Sequence, residues 1–252
     1  RVLFRSMCEY SAEDGNATDW HLMHLGQFAT SGIGLVITEA AAVEPRGRIT
    51  AQDLGLWCDD NEEALGRVMR FCREYGQAKM GIQLAHAGRK ASTHRPWEGR
   101  DPLKEGAGAW ETISSSANPQ GEGWHTPRSM DRAEMDVVRD AFVEATKRSD
   151  RLGFDMIEVH GAHGYLLHEF LSPIANTRND EYGGPIDNRM RYPLEVFAAM
   201  RAVWPEEKPM GIRISATDWE EHGWTPEDSV VFAGKLKELG CDYICASSGG
   251  IS

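Results

Sequence analysis

The chain has 252 residues, 41% hydrophobic and 26% charged, the balance of a globular protein long enough to bury a full core as one domain. Its formal net charge of -12 argues against nucleic acid or an anionic membrane as the main partner, and no apolar run is long enough for a membrane-spanning helix. Five scattered cysteines, Cys8, Cys58, Cys72, Cys241 and Cys245, form no CxxC pair and read as reduced thiols in a cytoplasmic setting.

Apolar runs alternate with amphipathic segments along the chain. Residues 2–7 read as a strand, entered abruptly from Arg1, so a preceding targeting segment stays open. A polar loop leads to Asp19, which can cap a helix ending near Gly32. Residues 34–40 form a second, doubly buried strand. Residues 59–75 form a helix with Leu65, Val68, Cys72 and Tyr75 on its buried stripe, and residues 79–84 a third strand. Residues 91–130 are rich in Gly, Pro and Ser but carry Trp97, Trp110 and Trp124, which favours a packed lid over disorder.

Asp131 and Glu134 open the next helix as a capping box, with Met135, Val138, Phe142 and Ala145 facing inward. The fourth strand, 156–159, is followed by a short helix (166–171) and by a helix from about Asn188 to Trp204 that buries Met190, Leu194 and Phe197. Residues 210–215 make a fifth strand; Thr225-Pro226 starts the last helix and 243–247 is the sixth strand. This alternation means parallel βα units. Cys8, Glu39, Gln83, His160, Arg213 and Ser247 or Ser248 each stand at the C-terminal end of a different strand. A barrel gathers all such ends around one pit, whereas an open sheet offers mainly its switch point. We therefore expect a (β/α)8 TIM barrel, here a single domain over 1–252 covering roughly strands 1 to 6, truncated at both ends and lacking its last two βα units.

The stretch richest in chemistry is 157–165, where an apolar strand ends in His160-Gly161-Ala162-His163-Gly164-Tyr165. Two histidines three apart can be packing or capping groups, or two of the three protein ligands that zinc needs, with His86, Asp155 or Glu158 offered as the third. Tyr165 and the strand-end position favour a catalytic site without metal. A second HxxH, His21 and His24, lies on a helix and reads as packing and capping.

Met7-Cys8-Glu9-Tyr10-Ser11, Asp19-Trp20-His21, the run from Ile82 to Lys90, His160 to Tyr165 and Asp180-Glu181-Tyr182-Gly183-Gly184 together resemble the Old Yellow Enzyme family, most closely its thermophilic-like class of FMN-dependent ene-reductases. The resemblance covers essentially the whole chain in order and implies the same barrel. It implies FMN as cofactor, NADPH or NADH as reductant, and small activated alkenes as substrates, with a homo-oligomer at full length. It implies that His160 and His163 hold the carbonyl oxygen of the substrate and that Tyr165 donates a proton to Cα. It makes Met7, Cys8, Ala40, Gln83 and Arg213 flavin-binding residues and Tyr10 part of the substrate pocket. Such roles suit the residue types: paired N–H donors stabilise a developing oxyanion, an amide can both donate and accept, and a fixed cation favours an anionic reduced ring. The charged loop at Asp180 to Gly184, with Asn188 and Arg189, reads as structural.

Two departures stand out. Ser6 occupies a position where the family commonly has proline, and the family's phosphate-binding loops after strands seven and eight would lie beyond Ser252. The same-fold alternative is the barrel of a larger 2,4-dienoyl-CoA reductase-like flavoprotein; the different-class alternatives are a metal-dependent hydrolase and a non-catalytic remnant.

Overall fold

The computed structural model describes residues 3–5 and 7–252. Six strands, β1 (Leu3–Arg5), β2 (Leu35–Ala42), β3 (Lys79–Ala85), β6 (Met156–Gly161), β7 (Met210–Ser215) and β8 (Tyr243–Ser247), form one wholly parallel sheet in that order. Two short strands, β4 (Ile113–Ser114) and β5 (Arg128–Ser129), pair separately between β3 and β6. The helices are α1 (Asp19–Thr30), α2 (Asp59–Tyr75), α3 (Arg132–Arg151), α4 (Leu166–Leu171), α5 (Ile186–Arg201) and α6 (Pro226–Glu238). The sheet curls as an open part-barrel with β1 and β8 at its edges. Arg1, Val2 and Ser6, and with them the expected start of the first strand and the proline-to-serine departure, lie outside the described residues, while Met7, its expected end, is not in a strand.

Side chains alternate across each strand. On β3, β6 and β7 the residues Ile82, Leu84, Ile157, Val159, Met210 and Ile212 face the helices and are fully buried. The opposite face is polar or small: Gln83, Glu158, His160, Arg213 and Ser247 point into the barrel, and Ala40 pairs with Gln83 across a bulge at Thr38 and Glu39. Extra backbone in β2 thus brings an alanine, not Glu39, level with Gln83. Glu39 goes to the other side, where its carboxylate accepts from the Glu9 amide at 2.7 Å and meets His21 Nε2 at 3.0 Å.

The predicted stripe of α3 is wholly buried, whereas α2 buries Leu65, Val68 and Cys72 and leaves Tyr75 60% exposed at its last turn. Leu194 of α5 is only partly covered, its neighbours Val196 and Phe197 taking the inner face instead. The capping box at the start of α3 keeps one arm: Asp131 accepts from the Glu134 amide at 2.8 Å, while the Glu134 carboxylate pairs with Arg46 and Arg128.

The long region 91–130 is a packed cover. Ser114 Oγ donates to the Glu169 carboxylate at 2.6 Å, Ser115 Oγ to the Glu169 carbonyl at 2.9 Å, and Trp110 Nε1 to the Arg46 carbonyl at 3.1 Å. The 176–185 loop is likewise pinned, because Asn176 donates to the carbonyls of Phe170 and Tyr182, both at 2.7 Å.

Candidate active site

The C-terminal ends of β3, β6, β7 and β8 meet beneath the cover. The turn from β6 to α4 is tight: His163 and Gly164 both adopt left-handed backbone, at φ 59 and φ 72. Three elements hold it there. The His163 amide donates to Ser215 Oγ (2.9 Å), His163 Nε2 and Ser247 Oγ lie 2.7 Å apart, and the Leu166 amide donates to the His86 carbonyl at 3.0 Å. The turn sets His160 edge to face against both His163 and Tyr165, with ring centroids 5.2 Å and 4.9 Å away.

The tautomer of His160 follows from its neighbours. The Ala162 amide donates to His160 Nδ1 at 3.3 Å, so in the neutral ring the proton sits on Nε2, which is the donor. His86 and His168 use the same device: each Nδ1 accepts a backbone amide, from Gly88 and Gly164 respectively, and each Nε2 turns to a carboxylate, Glu44 and Asp218, at 2.9 Å. His21 does likewise, accepting the Thr18 amide on Nδ1 at 2.9 Å. The expected capping role of His21 is therefore present, and His24 pairs with Glu9 at 2.8 Å.

The remaining predicted residues fall into two groups. Ala40, Gln83 and Arg213 line the inner face, with Arg213 beside His160 in register. Gln83 Nε2 donates to Glu158 at 2.5 Å. Arg213 Nε is buried with no hydrogen-bond partner among the described residues, while Nη2 reaches Ser247 Oγ at 3.5 Å. Cys8 lies near Asp53 and Glu39; burial first, then these two carboxylates, raise its pKa well above the ordinary thiol range, so it is a neutral thiol. Burial likewise pushes the phenols of Tyr10 and Tyr165 up, keeping both protonated. Tyr10 packs edge-on against Trp97 at 5.7 Å. Met7 stands apart, its side chain 83% exposed.

Tyr10 and Tyr165 open onto a cleft of about 430 Å³ under the cover, lined also by Lys90, His94, Arg100 and Trp124. Behind it Ala40, Ala42, Ala85, Ala87 and Gly47 make a small-residue floor. The third ligands considered for a metal do not converge on the histidine pair: His86 is committed to Glu44, Glu158 to Gln83, and Asp155 to Lys79 and the Met80 amide at the other end of the sheet. Among the described residues no group of three or more His, Cys, Asp or Glu is placed to hold a metal ion.

Residues 1–251 match the model of the NADH:flavin oxidoreductase / NADH oxidase family. The chain belongs to this family. It is 44% identical to an NADH:flavin oxidoreductase of Gibberella zeae, over 100% of this chain and 64% of that protein. Against an NADPH dehydrogenase of Geobacillus sp. the identity is 42%, over 100% of this chain and 69% of the relative. Morphinone reductase in complex with tetrahydroNAD superposes with a TM-score of 0.81 at 28% identity, over 98% of this chain and 69% of that one. The expected kinship with Old Yellow Enzymes and the expected barrel both hold, the six strands being part of a (β/α)8 barrel.

Membership implies FMN with NADH or NADPH as reductant, and the residues present fit that group. The unpartnered Arg213 Nε supplies a buried positive donor, and the alanine floor leaves room for a flat ring to lie close to the backbone. Sequence reasoning gave no role to Ser215 and Lys90 and passed over Asp53 and Arg100. Ser215 was legible as the inward position two beyond Arg213; Lys90 sits on a single 3-10 turn and Asp53 and Arg100 on irregular loops, where no periodicity reveals which way a side chain turns.

Proposed function

We propose that this chain carries the substrate-handling face of an FMN-dependent NAD(P)H oxidoreductase that reduces the C=C bond of α,β-unsaturated carbonyl compounds. The chain spans 64% of the Gibberella zeae relative, so the activity is proposed for the whole enzyme. The observation that carries the reading is the gathering of His160, His163 and Tyr165 beneath a covered cleft, His160 with its Nε2 protonated.

FMN, when bound, would supply the hydride chemistry at Cβ of the alkene. His160 and His163 hold the carbonyl oxygen and stabilise the negative charge that grows on it. Tyr165 donates its phenolic proton to Cα; burial keeps that proton in place until the carbanion forms. Arg213, Gln83, Cys8 and Ala40 would hold the flavin: Arg213 would supply a positive charge, Gln83 its amide, and the neutral Cys8 thiol and Ala40 small surroundings, with Met7 and Tyr10 at the margin. Thr93, His94, Arg100 and Trp124 of the cover wall the cleft. The same reading places the enzyme in the cytoplasm, as a homo-oligomer acting on small alkenes.

The test is reduction of 2-cyclohexenone by the FMN-loaded enzyme with NADPH in D2O. Saturated ketone carrying solvent deuterium at Cα supports the reading. NADPH oxidation that depends on oxygen alone, with the alkene recovered unchanged, overturns it.

A further inference from the structure

The chain carries a net charge of -12, yet no Asp or Glu side chain lines the cleft above Tyr165. The two formally charged residues that do are Lys90 and Arg100, both cations. Lys90 is anchored by carbonyls and by no carboxylate: Nζ donates to Gly250 O at 2.8 Å and His163 O at 3.0 Å, which leaves a third N–H donor. Its ammonium also lies 5.6 Å from the Tyr165 ring centroid. Arg100 has no ion pair and no side-chain hydrogen bond among the described residues, whereas Arg95 in the same segment is neutralised by Glu98 at 2.5 Å. Backbone at φ 63 lets Arg100 leave the turn after Gly99 toward the cleft it lines. Burial lowers the pKa of Lys90 to about 8; Glu169, behind the cleft wall, raises it in part but makes no ion pair with the ammonium and does not line the cleft.

Two cations without an ion pair among the described residues, lining one concave site that no Asp or Glu lines, form an electrostatic seat for an anion. We propose that Lys90 and Arg100 bind an anionic group carried by the alkene acceptor, a carboxylate remote from the C=C bond, so that the preferred substrates are anionic enones. The inference rests on the functional reading above and names its substrate class. The placement suits it: Tyr165, Tyr10, Trp124, Lys90 and Arg100 line one cleft, and His160 packs against Tyr165 with His163 beside it. The phosphates of NAD(P)H offer the same chemistry and enter the same enzyme, so the test separates the two sources.

The FMN-loaded enzyme is assayed with a cyclohexenone bearing a remote carboxymethyl group and with its methyl ester, two substrates of equal alkene reactivity. The acid is expected to be favoured in kcat/KM by about fivefold or more, an advantage that shrinks with added salt. Arg100→Gln abolishes most of that preference and Arg100→Lys retains most of it. Trp124 emission, titrated with the saturated acid in the absence of NADPH, reports the same loss of affinity without turnover. Equal kcat/KM for acid and ester in the unmodified enzyme overturns the inference while leaving the functional reading intact, and failure to reduce either compound overturns the functional reading itself. If Arg100→Gln raises KM for NADPH and leaves the acid-to-ester ratio unaltered, the seat belongs to the reductant and the assignment to the alkene is wrong.

Discussion

Gln83 and Glu158 stand side by side on β3 and β6, and the amide nitrogen of one donates to the carboxylate of the other over 2.5 Å. A carboxylate only accepts, so this contact turns Nε2 toward Glu158 and leaves Oε1 as the acceptor offered to a ligand N–H. Glu158 is fully buried and fixes which way the amide points. Glu158→Gln removes that instruction, because an amide can pair with either orientation of Gln83. We expect FMN to bind about fivefold more weakly in this variant, the equivalent of about 1 kcal/mol. A titration of flavin fluorescence quenching checks it, and unchanged affinity would show that the amide needs no such guide.

Tyr165→Phe keeps the ring that packs on His160 at 4.9 Å and removes only the proton donor. Flavin reduction by NADPH is expected to keep its rate, and reoxidation by an enone to slow by about 10²-fold or more. Stopped-flow spectroscopy resolves the two half-reactions. Equal slowing of both would mean that the phenol positions the flavin and is not the acid.

How far the sequence reveals this arrangement differs from residue to residue. Val159, His160 and Arg213 were readable because strict alternation on a parallel strand assigns each side chain a face. Ala40 was placed by resemblance alone: counting along β2 puts Glu39 level with Gln83, and only the bulge corrects the register. The cover was recognisable as ordered from its tryptophans, yet Trp97 is 64% exposed, and what ties the cover down is Ser114 and Ser115 on Glu169. A serine in a loop of serines carries no sequence signal for such a bond. Arg100 shows the same limit, since an unpaired cation is recognised only when its surroundings are known.

Gly164 tests the turn that aims the catalytic rings. Its φ is +72, and an added Cβ would lie 2.0 Å from the Gly250 carbonyl oxygen, which is backbone and cannot swing away. Gly106 is the comparison: φ is +82 but nothing lies within 4 Å. Gly106→Ala is expected to cost only the left-handed strain, about 1 kcal/mol. Gly164→Ala adds the clash and should lower Tm by about 5 °C more. Thermal unfolding of both variants checks the difference, and equal shifts would mean that the 249–251 segment yields freely.

Glu169 couples stability to pH. It lies fully buried beneath the cover, accepting from the Arg89 amide at 2.9 Å and from Ser114 Oγ at 2.6 Å, and burial raises its pKa to about 7. A folded-state value above the unfolded one of about 4.5 means that the native state holds a proton the unfolded chain has lost. The stability this proton confers is complete below about pH 4.5 and is lost as pH rises through about 7. Asp53, raised by burial to about 7, acts in the same direction. Glu44 opposes both: burial pushes it up, but His86 and Arg46 outweigh that and hold it at about 2, so its contribution is present above about pH 4.5 and lost as pH falls toward 2. Unfolding by urea is therefore expected to be easier at pH 7 than at pH 5. Glu169→Gln keeps an acceptor for the Arg89 amide and a partner for Ser114 while removing the titration, so it should flatten that slope by about 1 kcal/mol or more. An unaltered slope would assign the effect to Asp53 alone.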